Sequence, residues 1–369
     1  MHVVHLTSAH PRYDTRVFVK QCRSLAALGY KVTLVVADGK GDERRDGVEI
    51  IDVGPSQGRI DRMLESTRRV YTKALALDAG IYHLHDPELI PYGLRLKRSG
   101  KTVIFDAHED LPKQLLGKPY LGPVSSRALS GVLAAYEAFA SRRFDGIVAA
   151  TPSIRDKFLA LKCRSVDINN FPIAGELGIA AASEIQGGQG RQVCYVGGLT
   201  EIRGVREMVR AAAFLRSDTR IELVGAFNPP LLREELLGEP GWARIKEHGY
   251  LDRAGVARVM QGSMAGLVTL RPAPNHIDSQ PNKMFEYMSA GLPVIASDFP
   301  LWRAIIEDNA CGICVDPGNP RAIANAIDFL VSNSEIARRM GESGRELVRT
   351  RYNWVNEERK LVDFYAALA

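Results

Sequence analysis

The feature that most restricts this chain is a steady alternation of short apolar runs with amphipathic helices. Val3-Val4-His5-Leu6 has strand length, Asp14 caps a helix from Thr15 to Leu28 stopped by Gly29, and Lys31 to Val36 is again a strand. A strand, a helix and a strand in that order specify a parallel sheet with helices on its faces. The alternation runs almost to the end of the 369 residues, a length comfortable for two domains. Residues 173–190 interrupt it with Ala and Gly, ending in Gly187-Gly188-Gln189-Gly190, and read as a linker. The expected organisation is an α/β domain over 1–172, a linker over 173–190 and a second α/β domain over 191–353. The closing helix, about 354–369, is expected to lie back on the first domain.

Composition narrows the function. Hydrophobic residues make up 46% and charged residues 25%, which is ordinary for a globular protein. No apolar run of about 18 residues exists, so no spanning helix is expected, and Met1 to Leu6 reads as a strand rather than a leader. A cytoplasmic location is the default expectation. Five widely spaced cysteines argue against a disulfide framework. Cys311-Gly312-Ile313-Cys314 lacks a second ligand pair and reads as small residues entering a strand rather than zinc ligands. Residues 1–170 hold 26 Lys+Arg against 19 Asp+Glu, 26 − 19 = +7; residues 171–369 hold 22 against 24, 22 − 24 = −2. A basic first half suits an anionic partner. Arg59 to Leu77 is amphipathic, with a stripe of Ile60, Met63, Leu64, Val70, Tyr71, Ala74 and Leu75 bordered by Arg59, Arg62, Arg68, Arg69 and Lys73. It reads as a core helix with a solvated face or as a face for anionic lipid. No nucleic-acid recognition element stands out.

Ligands of open α/β sheets bind beyond the C-terminal ends of the strands. In the first half those ends carry Thr7 to Asp14 (with His10, Arg12 and Asp14), His83-Leu84-His85-Asp86-Pro87, and Asp106-Ala107-His108-Glu109-Asp110. The three-glycine dinucleotide fingerprint is missing, which argues against a nicotinamide enzyme. His83 and His85 share one strand face, but no third metal ligand is in sight, so no metal site is expected. Pro112 to Pro123 is expected to be a broken loop exposing Leu115, Leu116, Tyr120 and Leu121.

In the second half, Gly197-Gly198 follows a strand over Gln192 to Val196 and leads to Arg203-Gly204. A glycine turn lets backbone approach a ligand closely. The run Gln280 to Ser297 reads as a helix opening near Asn282, stopped by Gly291, then a strand. Its N-terminus offers free N–H groups and a positive dipole end to a diphosphate. Arg203 and Lys283 add full charge, and Glu286, one turn in, is placed for ribose hydroxyls.

This stretch resembles the donor-binding helix of the family-4 retaining glycosyltransferases, with Asp278, in place of the usual first Glu, and Glu286 as its two acids. The resemblance extends over nearly the whole chain: Gly198 to Gly204 resembles the loop that grips the diphosphate, Gly249-Tyr250-Leu251 the base-contacting turn, and His108 the histidine near the transferred sugar. Asp106 to Asp110 and His85 to Leu89 resemble a bacterial surface-polysaccharide subgroup. It implies the GT-B fold, two Rossmann-like parallel-sheet domains facing across a deep cleft, and transfer of a sugar from a nucleotide sugar, a UDP-sugar, to an acceptor hydroxyl with retention. His108, Arg203, Lys283 and Asp278 are then the expected catalytic group. Gly197, Gly198, Arg203, Gly225, Tyr250, Leu251, Asn282, Lys283, Met284 and Glu286 are expected to bind the donor. His10, Arg12, Asp14, His85 and Glu109 are expected at the acceptor, a saccharide or lipid-linked saccharide, with no cofactor and no metal. One departure is Gly198, where the family carries Arg; Lys283 or Arg271 is expected to replace that cation. A sugar-nucleotide epimerase of the same double-domain shape and a non-catalytic nucleotide binder stay open as alternatives.

Overall fold

The computed structural model describes residues 1–116, 122–175 and 192–368. The expected linker and the Tyr120-Leu121 tip therefore lie almost wholly outside the described residues. Two compact units emerge: Met1–Asn170 with Trp354–Ala369, and Phe171–Asn353.

The first unit is built on an eight-stranded sheet. Its strands are β1 (His2–Leu6), β2 (Lys31–Val36), β3 (Glu43–Arg45), β4 (Val48–Asp52), β5 (Ile81–Leu84), β6 (Thr102–Ala107), β7 (Gly146–Ala149) and β8 (Ser165–Asp167). They lie in the order β3-β4-β2-β1-β5-β6-β7-β8, all parallel except β3, which runs against β4. The β1 and β5 loops leave the sheet where its strand order reverses. That switch point is where doubly wound sheets place ligands. The central strands are buried on both faces and read as near-continuous Val, Ile and Leu runs, as parallel strands must. Asp14 accepts from the Arg16 and Val17 N–H groups and starts a helix that is π-helical over Thr15–Cys22 and α-helical over Arg23–Ala27. The Trp354–Ala366 helix belongs to this unit: Trp354 Nε1 donates to Ser24 Oγ at 2.9 Å, and Glu357 accepts from the Asn169 N–H at 2.7 Å.

The second unit repeats the plan with six parallel strands: β9 (Gln192–Val196), β10 (Arg220–Val224), β11 (Ile245–Gly249), β12 (Gly266–Val268), β13 (Val294–Ser297) and β14 (Gly312–Val315). Their order is β11-β10-β9-β12-β13-β14, so the switch point falls between β9 and β12. The Asn282–Ala290 helix buries Met284, Phe285 and Met288 against the sheet, and Gly291 ends it at φ +75°. Cys311 is buried just before β14 and Cys314 is half-buried within it, and no candidate metal cluster among the described residues includes a cysteine.

Two local expectations change. Leu111–Leu116 is a helix rather than a loop, because Pro112 falls in its first turn, where proline costs no hydrogen bond. The Arg59 to Leu77 stripe splits: Val70 and Ala74 are buried, while Ile60, Met63 and Leu64 stand exposed.

Candidate functional site

The glycine turn after β9 is held by the turn after β10. Gly225 has φ +144°, and a Cβ there would sit 2.0 Å from the Gly197 carbonyl oxygen. Gly197 and Leu199 N–H groups donate to Val224 and Ala226 carbonyls, both at 2.9 Å. Gly197 itself has φ +132°, and a Cβ there would meet Lys283 Nζ at 2.8 Å. A Cβ on Gly198 would meet Arg203 Nη1 at 3.0 Å. The turn therefore stays side-chain-free with two cations against it.

Lys283 is half-buried as a residue, but its ammonium is occluded and has no hydrogen-bond partner among the described residues. It lies 3.7 Å from the centre of the Tyr195 ring, whose hydroxyl donates to the Gly198 carbonyl at 3.0 Å. Burial, and then the charge of Arg203, holds the Lys283 pKa well below its ordinary value, with Glu286 opposing. A cation that is desolvated, unpaired and beside another cation is an incomplete arrangement that an anion would complete. The helix that carries it opens at Pro281 with no side-chain cap, so its first N–H groups stay open.

The other expected donor residues are spread unevenly around this point. Glu286 Oε1 accepts from Arg253 Nη1 at 2.9 Å, a partner that spacing did not reveal. Met284 is 0% exposed, so its side chain belongs to the core and only its backbone remains for a ligand. Tyr250 is exposed and Leu251 packs partly on the core. Asn282 and Asp278 are exposed. Arg271 is drawn away to Glu207 at 3.5 Å and Glu201 at 3.9 Å; Lys283 is the cation beside Arg203.

In the first unit, Asp86 knots the β1 loop by accepting from Thr7 Oγ1 at 2.9 Å, Ser8 N–H at 2.6 Å and Ala9 N–H at 3.1 Å. His10 stands between Asp86 at 3.4 Å and Asp14 at 3.5 Å; burial works against its charge, but the two acids outweigh it and raise its pKa. Arg12, expected at the acceptor, is instead a buried clamp on Asp38, Glu43 and the Gly41 carbonyl. Four of its N–H donors are used inside the fold because the β2 and β3 ends converge on it. Glu109 is exposed and bonds Gln114.

His108 Nε2 lies 3.3 Å from Asp106 Oδ2, and its ring is 4.7 Å from that of His10. Asp106 also accepts from Arg16 Nη2 at 2.6 Å, Arg16 Nε at 3.1 Å and Gln21 Nε2 at 2.7 Å. Burial opposes its charge, but Arg16 leads the groups that hold its pKa well below the usual range. His85, expected at the acceptor, is 1% exposed and faces inward. Its Nε2 is 2.8 Å from His5 Nδ1, and its Nδ1 is 3.2 Å from Asp106. The third histidine that spacing left out of sight is His5, because β1 pairs with β5 in a register that sets His5 opposite His83. Burial drives the pKa of all three down, that of His85 to about 3.

Two parallel-sheet domains of this order, one with a glycine turn, an unpaired ammonium and an open helix end, define a GT-B glycosyltransferase architecture. The profile described as "Glycosyl transferase 4-like domain" matches residues 15–173, and that described as "Glycosyl transferases group 1" matches residues 190–333. The chain belongs to this family-4 type of glycosyltransferase. It is 30% identical over 157 residues to a phosphatidyl-myo-inositol mannosyltransferase of Mycobacterium leprae, covering 41% of this chain and 39% of that one. It is 28% identical over 167 residues to an alpha-D-kanosaminyltransferase of Streptomyces kanamyceticus, covering 44% of this chain and 42% of that one. The chain thus spans only about two-fifths of the curated relatives it matches. A sucrose-phosphate synthase from Thermosynechococcus elongatus shares the fold with TM-score 0.77 at 18% identity over 100% of this chain and 99% of that one. The Anabaena protein HepE, solved in complex with UDP, aligns with TM-score 0.74 at 14% identity over 100% of both chains.

Proposed function

We propose that this chain transfers a sugar from a nucleotide sugar, a UDP-sugar, to an acceptor hydroxyl and retains the anomeric configuration. The observation that carries this reading is the buried, unpartnered Lys283 ammonium beside Arg203 on the Gly197-Gly198 turn. Charge grows on the β-phosphate as the glycosidic bond breaks. Cations and N–H groups already fixed there stabilise the departing diphosphate more than the bound donor, and only that difference speeds the reaction. No divalent ion is needed at the diphosphate on this account. Glu286 holds the ribose, the turn at Tyr250 and Leu251 meets the base, and Asp278 lies near the sugar. His108, kept in place by Asp106, faces the positive charge that develops on the sugar ring. Attack comes from the face the diphosphate leaves, and its oxygen takes the acceptor proton.

The acceptor is a saccharide or lipid-linked saccharide in surface-polysaccharide or glycolipid assembly. The basic first half and the exposed Ile60, Met63 and Leu64 support work at an anionic membrane surface on its cytoplasmic side. Among the described residues no helix is long and apolar enough to cross a membrane. The test is release of UDP from UDP-sugars with and without an acceptor extract, for the wild type and for Arg203→Ala. Acceptor-dependent UDP release, lowered about 100-fold or more in the variant, is expected. Acceptor-independent release, or equal turnover in both proteins, would overturn the assignment.

A further inference from the structure

We propose that His5, His83 and His85 bind one borderline-soft transition-metal dication of the zinc class in the core of the first domain. One ring nitrogen of each lies within 4.8 Å of the others, and all three side chains are buried. A tetrahedral ion with Zn–N of about 2.0–2.1 Å sets its ligands roughly 3.4 Å apart. The 2.8 Å separation of His5 Nδ1 and His85 Nε2 and the 4.8 Å limit lie on either side of that figure, so small rotations close the set.

The outer contacts are those of a ligating set. Histidine ligands turn their second nitrogen to a carboxylate or another oxygen, which fixes ring and tautomer. His85 Nδ1 faces Asp106 Oδ2 at 3.2 Å, and His83 Nδ1 and His5 Nε2 face the Tyr365 hydroxyl at 2.6 and 3.5 Å. Each ring thus spends one nitrogen on an oxygen and turns the other inward. Independently, His83 Nε2 is buried with no hydrogen-bond partner among the described residues. A buried polar atom left so is costly, and coordination would satisfy it.

Proton bookkeeping is consistent with coordination. Asp106 only accepts, so the His85 proton sits on Nδ1 and its Nε2 keeps a lone pair. Without an ion, His5 Nδ1–H fills that lone pair. Coordination requires that the His5 proton move to Nε2 and that His83 hold its proton on Nδ1, both N–H groups then donating to the Tyr365 oxygen, so all three imidazoles stay neutral and ligating. The overlapping set His85, Asp106 and His108 is poorer, because Arg16 and Gln21 already occupy both Asp106 oxygens. An ion here would fasten β1 and β5 together and, through Tyr365, the Trp354–Ala366 helix to the sheet. Its place is structural and separate from the diphosphate chemistry proposed above.

Full-length, chelator-stripped protein is titrated with Co²⁺ and followed by visible ligand-field absorption. One equivalent giving the intense bands of a tetrahedral site with three imidazole nitrogens and a water as the fourth ligand, bleached by Zn²⁺, is the expected result. The bands vanish in His83→Leu and persist in His108→Ala, and Tyr365→Phe weakens affinity about 10- to 100-fold. A wild-type protein that takes up no equivalent of Co²⁺ or Zn²⁺ overturns the site, whatever the variants do. So does a spectrum kept in His83→Leu, lost in His108→Ala, or unchanged in affinity in Tyr365→Phe.

Discussion

Gly225 and Gly197 meet backbone to backbone, so closely that a Cβ on Gly225 would stand 2.0 Å from the Gly197 carbonyl oxygen. Neither the clash nor φ +144° can be relieved without moving the turn that faces Lys283 and Arg203. Gly225→Ala should therefore cost about 2 kcal/mol of stability or more and also weaken UDP binding. Urea unfolding and calorimetry check both; a variant with wild-type values in each would show that the two turns move independently.

The Lys283 ammonium has its pKa depressed by burial first and by Arg203 second. A lysine so depressed binds fewer protons folded than unfolded, so it adds less to stability at neutral pH than near its ordinary 10.5. Diphosphate binding reverses this by favouring the charged form, with proton uptake. UDP affinity should fall as pH rises toward the ordinary lysine value of 10.5. Lys283→Arg, which stays charged, should flatten that slope, and Lys283→Met should weaken UDP at least about tenfold. A pH-independent wild-type affinity would remove the lysine from the phosphate site.

Glu286 and Arg253 form an ion pair at 2.9 Å with Arg253 half-exposed, so the pair itself is worth little. If Glu286 also holds the ribose, Glu286→Ala weakens UDP about tenfold and Arg253→Ala does so far less. Equal losses in the two variants would reduce Glu286 to a partner of Arg253.

Arg16 and Asp106 are buried together through two hydrogen bonds, and removing one member strands the other's charge. Arg16→Leu should destabilise the first domain by about 3–5 kcal/mol. Because the Asp106 pKa is depressed, its stabilisation is present above the ordinary carboxylate range and is lost as pH falls below it. Thermal melts as a function of pH test this: a change under about 1 kcal/mol would mean water replaces the guanidinium.

Ile60, Met63 and Leu64 expose an apolar edge on a segment whose Arg62 pairs with Glu88 and whose Arg69 is bound to the Val53 carbonyl. With two arginines engaged inside the fold, membrane attachment there must rest largely on the apolar side chains. Replacing all three by Ser should lower flotation with anionic liposomes at least about tenfold, since each buried side chain contributes about 1.5–3 kcal/mol. Wild-type protein that stays at the bottom of the gradient would end the membrane reading.

What the sequence determined by itself is what local spacing encodes. The strand and helix alternation, the Asp14 cap, the Gly291 stop, the Gly197-Gly198 turn and the helix opening near Asn282 were all legible, since each depends on neighbours within a few residues. The tertiary structure decided which distant residues meet. Strand order and register bring His5 to His83 and His85, fold Arg12 into a clamp with Asp38 and Glu43, and send Arg271 to Glu207 while Lys283 comes to Arg203. It also decided which face of a helix is core, and so removed the Met284 side chain from the site. Periodicity fixes what a segment becomes; only packing of the sheet fixes which charges are buried together, and that burial gives the cations and histidines their chemistry.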